Sequence, residues 1–245
     1  MVFITLFITS SPYVEDADRP LLWEDNQFID NLRQALPENP QALFVCADPE
    51  DHENTCRFGA DTVAAFANAG MAFSGYQVLD GWNAEDAAEL ISEADLIVLS
   101  GGHVPTQNAF FQEIGLRTLL EDFDGVVMGI SAGSMNMADT VYVQPEETGE
   151  SDPDFPRFAP GLNLTQVNIL PHYQKVKDNI LDGQRLYEDI TYSDSVGQLF
   201  FLLPDGSYIY QDEESLLLFG EGWCLHDGIL ERLTLPGETL DLAQL

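Results

Sequence analysis

Three observations predict an α/β fold with a doubly wound, mostly parallel sheet and a C-terminal antiparallel meander. Through the first half of the chain, short apolar runs alternate with amphipathic segments, the rhythm of buried strands joined by right-handed helical crossovers. One run, Val126-Val127-Met128-Gly129-Ile130, breaks at Ser131 and continues as Ala132-Gly133-Ser134-Met135, a strand-to-helix turn on the edge where such sheets collect their ligands. After about residue 198 the helical period disappears. Short runs there are separated by Pro204-Asp205-Gly206, Glu221-Gly222, His226-Asp227-Gly228 and Pro236-Gly237, the punctuation of hairpins. A length of 245 residues at 45% hydrophobic content suits one α/β domain over residues 1–245, with the meander, about 198–245, packed on it.

Met1-Val2-Phe3-Ile4-Thr5-Leu6-Phe7-Ile8-Thr9 reads as the first central strand. No cation precedes it, the first being Arg19, and it is too short to cross a bilayer, so it is not read as a signal or anchor and a cytoplasmic location is expected. Ser10-Ser11-Pro12 marks a loop. An amphipathic helix is predicted around 27–32, ending near Pro37. The continuous apolar run 41–46 is a strand covered on both faces, followed by a helix over 54–68 that Gly70 stops, and then by a strand at 76–79. Asn83 caps a helix reaching Ala94, with Ala87, Leu90 and Ile91 at helical spacing. A fourth strand spans 95–100, its helix 107–123, and the fifth strand is 126–130. Beyond the elbow, 144–160 is a loop rich in Glu, Asp and Pro, 162–170 is extended, and 176–190 is a helix.

Asp and Glu number 42 against 9 Lys plus Arg, a formal charge of -33 that repels phosphate backbones and anionic lipid. Nucleic-acid and membrane partners are therefore not expected. Three cysteines, Cys46, Cys56 and Cys224, make no disulfide framework and suit a reducing compartment. Cys46, at the end of a predicted strand, is a minor candidate for a second nucleophile.

The turn at Ser131 is a Gly-x-Ser-x-Gly nucleophile elbow. Its chemistry needs both glycines, because the serine takes strained dihedrals and the strand and helix must pack closely around it. It also leaves the Ala132 amide at a helix N-terminus, aimed at a developing oxyanion. A serine nucleophile needs a base. Of the four histidines, His52 and His226 lie in polar or turn segments and read as surface residues. His172 follows the apolar run Val167-Asn168-Ile169-Leu170-Pro171, at a strand end, and ranks first; His103 ranks second. The carboxylate that holds the imidazole is best supplied by Asp205, after the run Phe200-Phe201-Leu202-Leu203. Ser100-Gly101-Gly102-His103 closes the fourth strand. Its glycines let an amide approach a ligand, so Gly102 or Gly101 is the candidate for the second oxyanion donor, the alternative being a loop that merely turns.

Strand-Gly-Gly, then Gly-Ile-Ser-Ala-Gly-Ser, then Pro-His-Tyr, then Leu-Pro-Asp-Gly resembles the peptidase E (α-aspartyl dipeptidase) and cyanophycinase family of serine peptidases, relatives of class I glutamine amidotransferases. The resemblance covers roughly residues 95–206. It implies a flavodoxin-like, class I glutamine amidotransferase-like fold, Ser131 as nucleophile, His172 as base, Asp205 as acid, and Gly102 with Ala132 as oxyanion donors. The chain departs from the family in having His103 where Asn is usual, and Asp205 where Glu is frequent.

The family's preference for N-terminal aspartyl peptides would require a cation for the substrate carboxylate. Lys175, Lys177 and Arg185 form the one local concentration of positive charge and, with His103, are the substrate-binding candidates. Glu146, Glu147 and Glu150, in the loop after the elbow helix, read first as part of the general acidic surface, with reception of a free α-ammonium as the alternative. The expected activity is a cofactor-independent dipeptidase or aminopeptidase-like hydrolysis after an N-terminal aspartyl residue, through an acyl-enzyme. A cyanophycinase-like β-aspartyl hydrolase and a non-catalytic binding module are the alternatives. The expected partner is a small acidic peptide, no metal is called for, and a homodimer is allowed.

Overall fold

Five parallel strands and three antiparallel ones make up the central sheet of the computed structural model, which describes residues 4–245. The first three positions of the predicted opening strand lie outside the described residues. In chain order come β1 (Thr5–Thr9), α1 (Phe28–Ala35), β2 (Gln41–Val45), α2 (His52–Asn68), β3 (Gly75–Leu79), α3 (Ala87–Ser92), β4 (Leu96–Leu99), α4 (Val104–Glu113), α5 (Leu116–Leu119) and β5 (Val126–Ile130). Strands β1, β5, β4, β2 and β3 lie side by side, each pair parallel.

Their runs are apolar throughout because successive side chains feed opposite covered faces. Leu43, Val45, Ile97, Leu99 and Val127 pack with α3, α4 and α5 through Leu90, Phe110 and Leu116. Ala42, Phe44, Leu96, Val98 and Met128 pack on the other face with Phe28, Ile29 and Leu32 of α1 and Phe66 of α2. The helix predicted over 107–123 begins earlier, at Val104 with Pro105 in its first turn, and is broken in two at Gly115, whose φ is 64°.

The second half departs further from expectation. It contains α6 (Ala132–Met135), β6 (Thr140–Tyr142), β7 (Phe158–Pro160), β8 (Asn168–Leu170), α7 (Tyr173–Val176), β9 (Ile180–Leu181), β10 (Gln184–Arg185), a π-helical turn (Leu186–Thr191), α8 (Tyr192–Asp194) and β11 (Leu199–Leu202). Then follow β12 (Tyr208–Gln211), β13 (Leu216–Phe219), β14 (Gly222–His226), β15 (Ile229–Thr234) and β16 (Thr239–Asp241). Only 168–170 of the extended stretch 162–170 joins a ladder.

The helix predicted over 176–190 survives only at its ends, as the last residue of α7 and the π-helical turn. Asp182 and Gly183 have φ of 51° and 85°, so the chain reverses there in a tight hairpin between β9 and β10.

The predicted meander is divided between two sheets. Strands β12, β13 and β16 extend the central sheet beyond β1. Strands β14 and β15 join β11 and β8 in a separate four-stranded sheet of order β15-β14-β11-β8, in which β8 and β11 are parallel. The inner residues of this sheet, among them Ile169, Phe200, Leu202 and Leu225, pack into the same cluster as Ile8 and Leu99, which brings its strand ends close to those of β1 and β5. No described helix is long and apolar enough to cross a membrane.

Candidate active site

Ser131 leaves β5 with φ 51° and ψ −114°, a conformation that non-glycine residues rarely hold. Its N–H donates to the carbonyls of Thr9 (3.1 Å) and Ser10 (2.9 Å) at the end of β1, and Ser134 Oγ donates to Thr9 as well (2.8 Å). The elbow glycines are sterically required. A Cβ on Gly129 would lie 2.6 Å from the Ser134 backbone, and one on Gly133 only 2.2 Å from the Leu99 carbonyl oxygen. At the end of β4, Gly101 approaches Ser131, where a Cβ would meet the serine Cβ at 3.3 Å; one on Gly102 would meet Ala47 at 2.5 Å. Ala132 opens α6 directly after the serine.

Parallel pairing of β8 with β11 aligns Leu170 with Leu202, so the two chains emerge together and deliver His172 and Asp205 side by side. His172 Nδ1 lies 2.7 Å from Asp205 Oδ1. Aspartate thus reaches the imidazole despite being shorter than glutamate. Its Oδ1 also accepts from Ser10 Oγ (2.8 Å), while Oδ2 accepts from Gln174 Nε2 (2.8 Å) and Lys175 Nζ (2.7 Å). Burial opposes the ionisation of Asp205. Donation from His172 and Lys175, the imidazolium charge and the Ser10 hydroxyl outweigh it and hold the carboxyl far below the ordinary carboxylate range. An ionised acceptor facing Nδ1 places the ring proton there and leaves Nε2 as the basic nitrogen.

Ser131, His172 and Gly102 line one cavity of about 210 Å³ together with Met135 and the consecutive loop residues Gln144, Pro145 and Glu146. Ile180 and Leu181 of the β9–β10 hairpin also line it. Among the described residues no hydrogen bond joins Ser131 Oγ to His172; such bonds tighten when substrate binds. A wider groove of about 730 Å³ passes Asp205 beside Trp23 and Glu221, but Ser131 and His172 do not line it.

None of the three candidate cations lines the cavity. Lys175 pairs with Asp205 and Glu15, Arg185 grips Asp189 through Nε and Nη2 (3.1 and 2.6 Å), and Lys177 is exposed. The carboxylate that does face it is Glu146. Burial, then Glu150 and Glu147, hold the Glu146 carboxyl above its ordinary range against the pull of His103 and His172.

His103 contacts the loop that carries Glu146. Its Nε2 meets Glu150 Oε1 at 2.9 Å and its Nδ1 meets Thr106 Oγ1 at 2.8 Å, while Glu150 Oε2 accepts the amides of Glu146 (2.8 Å) and Glu147 (2.9 Å). His103, Glu147 and Glu150 offer ligand atoms within 4.8 Å of one another, but these contacts satisfy both His103 and Glu150 without an ion. Cys46 is fully buried, and its thiol is pushed up to about 12 by burial and by Asp80 and Asp48, which leaves it inert.

Ser10 is the site residue that sequence reasoning missed. Fully buried, it receives the His172 N–H on its Oγ (2.7 Å), donates to Asp205, and accepts the Ser131 N–H on its carbonyl. The available signal was its place at the carboxyl end of a central parallel strand, where polar residues serve ligands.

The family model of peptidase family S51 matches residues 6–219. Among solved structures, the chain resembles a peptidase from an acI-B1 Actinobacterium at 17% identity and a TM-score of 0.62, covering 99% of this chain and 97% of that one. It also resembles a candidate peptidase E from Listeria monocytogenes EGD-e at 16% identity and a TM-score of 0.59, covering 96% of this chain and 100% of the other. At such identities these likenesses show the fold. No curated protein matches the chain.

Proposed function

The chain belongs to peptidase family S51 and is a serine-type peptidase, and from that premise we propose that it is an exopeptidase that binds the free α-ammonium of a short peptide at Glu146 and acylates Ser131 with the N-terminal residue. In this reading His172 Nε2 takes the Ser131 proton as Oγ attacks the scissile carbonyl. The oxyanion is held by the amides of Gly102 and Ala132, and His172 returns the proton to the leaving amine before water releases the acyl group. Asp205 keeps the imidazole in the productive tautomer. The chain works as one domain on a small peptide, with neither nucleic acid nor membrane as partner.

The observation that carries this reading is the charge of the cavity: Glu146 lines it, and among the described residues no Lys or Arg does. A carboxylate there suits an ammonium and repels a carboxylate. Support for an N-terminal aspartyl preference, α-linked or β-linked, is the family resemblance alone.

A panel of Ala-Xaa, Asp-Xaa and β-Asp-Xaa dipeptides with their N-acetylated forms tests it. A free amine should raise kcat/KM by about 10–10²-fold, the worth of one charge-assisted hydrogen bond. Ala-Xaa should be cleaved at least as fast as Asp-Xaa, and Ser131→Ala should end acylation and labelling by a serine-directed phosphonate. Turnover by Ser131→Ala at the parent rate would end the mechanism. Equal cleavage of acetylated and free peptides would end the exopeptidase reading while leaving the nucleophile in place.

A further inference from the structure

Away from the cavity, where β2 and β3 end, Cys56, His52 and Asp80 assemble the residue types of an activated thiol. Cys56 Sγ lies 3.4 Å from His52 Nε2, and His52 Nδ1 lies 2.6 Å from Asp80 Oδ2. The two helical residues are four apart at the start of α2, and side chains at that spacing share a face and lean toward the N-terminus. Asp80 is 1% exposed, and its other oxygen accepts the Trp82 N–H at 2.9 Å, so the carboxylate is a fixed acceptor that places the ring proton on Nδ1. Nε2 then faces the sulfur as a base. Trp82, itself exposed, lies flat on the imidazole, with centroids 4.0 Å apart and planes at 5°, and holds the ring in place.

None of these side chains lines the Ser131 cavity, and the peptidase mechanism uses none of them. The sequence reading of His52 as a plain surface residue missed this arrangement, because Asp80 arrives from another strand. The geometry suits thiol exchange better than acyl transfer: a thiolate attacks a disulfide in line and needs no oxyanion donors.

We propose that Cys56, with His52 as its base and Asp80 as the anchor of that base, is a thiol-exchange site that captures small cationic disulfides as a mixed disulfide. The Cys56 proton passes to His52 Nε2 and Sγ attacks one sulfur of the disulfide. The S–S bond breaks, and the departing thiolate takes the proton from His52. The disulfide is the oxidant, and one of its halves leaves as a thiol. The preference for a cation follows from the carboxylates of Asp48, Glu50, Asp51 and Glu53 in the segment leading into and opening α2, on a chain of charge -33. Arg57, the neighbouring cation, is turned to Asn54.

The protein carries its own comparators. Cys46 is buried, and the Cys224 thiol is raised by burial and by Glu231. Brief exposure of the full chain to cystamine, followed by peptide mass mapping, should modify Cys56 at least about tenfold faster than Cys224 and leave Cys46 untouched. Anionic glutathione disulfide should react more slowly than cystamine at low salt, with the gap closing as salt rises. His52→Gln should slow Cys56 about tenfold without altering Cys224 or peptidase activity. Equal rates at Cys56 and Cys224 in the parent protein would overturn the proposal without recourse to any variant. So would an unchanged Cys56 rate in folded His52→Gln, and glutathione disulfide matching cystamine would overturn the charge preference.

Discussion

Ser10 and Asp205 carry more of the site than their side-chain size suggests. Ser10 is one hydroxyl and one carbonyl, yet it touches the backbone of Ser131, the backbone of His172 and the carboxylate of Asp205. Ser10→Ala leaves the His172 N–H without its acceptor and removes one donor from Asp205. The expected cost is about 1–2 kcal/mol of stability by urea unfolding, with kcat falling more than KM changes. Asp205→Asn keeps the shape but loses the charge that fixes the tautomer, and kcat should fall about 10³–10⁴-fold while the variant stays folded. Stability should follow the same carboxylate. Its folded-state pKa lies below the unfolded value near 3.9, so its contribution is complete above about pH 4 and drains away as pH falls through the folded value. Unfolding midpoints measured against pH should therefore drop below about pH 4 in the parent and drop less in Asp205→Asn. His172 and Asp205 were legible as polar residues ending apolar runs. Ser10 was legible only as a loop marker beside Ser11-Pro12, because nothing local distinguishes a buried bridging serine from a turn serine.

The loop between β6 and β7 is held by several long-range contacts, Asp182 to Gly149 and Ser151 among them, and the one nearest the cavity wall is His103 to Glu150. Burial opposes ionisation of Glu150, but the amides of Glu147 and Glu146 and the His103 imidazole outweigh it and keep the carboxyl below its ordinary range. That carboxylate folds the turn which presents Glu146 to the cavity. His103→Ala should loosen the turn and raise KM for free-amine dipeptides about tenfold, with little change in kcat, as steady-state kinetics would show. Because burial holds Glu146 above its ordinary range, the ratio of kcat/KM for free over acetylated peptide should climb with pH through values above the usual 4.3 or so, and should be flat in Glu146→Gln. The parallel elements were read closely from their apolar runs. The stretch 176–190 was not, because Val176, Ile180 and Tyr187 mimic helical spacing while Asp182-Gly183 turns the chain, and the turn prevails. That reversal brings Ile180 and Leu181 to the cavity lining.

Over the whole molecule the dominant feature is a charge of -33 confined to one chain. Self-repulsion opposes the compact state, and salt relieves it as the screening length falls from about 30 Å at 0.01 M to about 3 Å at 1 M. The thermal midpoint by calorimetry should rise across that range; a flat or falling midpoint would mean that the acidic surface is already neutralised by its ion pairs. The sequence by itself determined the covered parallel sheet, the strained serine with its bare neighbours, and the strand-end positions of His172 and Asp205. Each of these is written in residues adjacent along the chain: an apolar run, a glycine pair, a turn. Tertiary structure alone decided that the meander splits between two sheets, that Lys175 and Arg185 are held by other carboxylates, that Glu146 shares a cavity with Ser131, and that Ser10 joins the Ser131 and His172–Asp205 halves of the site. Those outcomes rest on pairings such as β8 with β11 and β1 with β5, between segments far apart in sequence, and the free energy that selects such a pairing lies in the packing of both partners together.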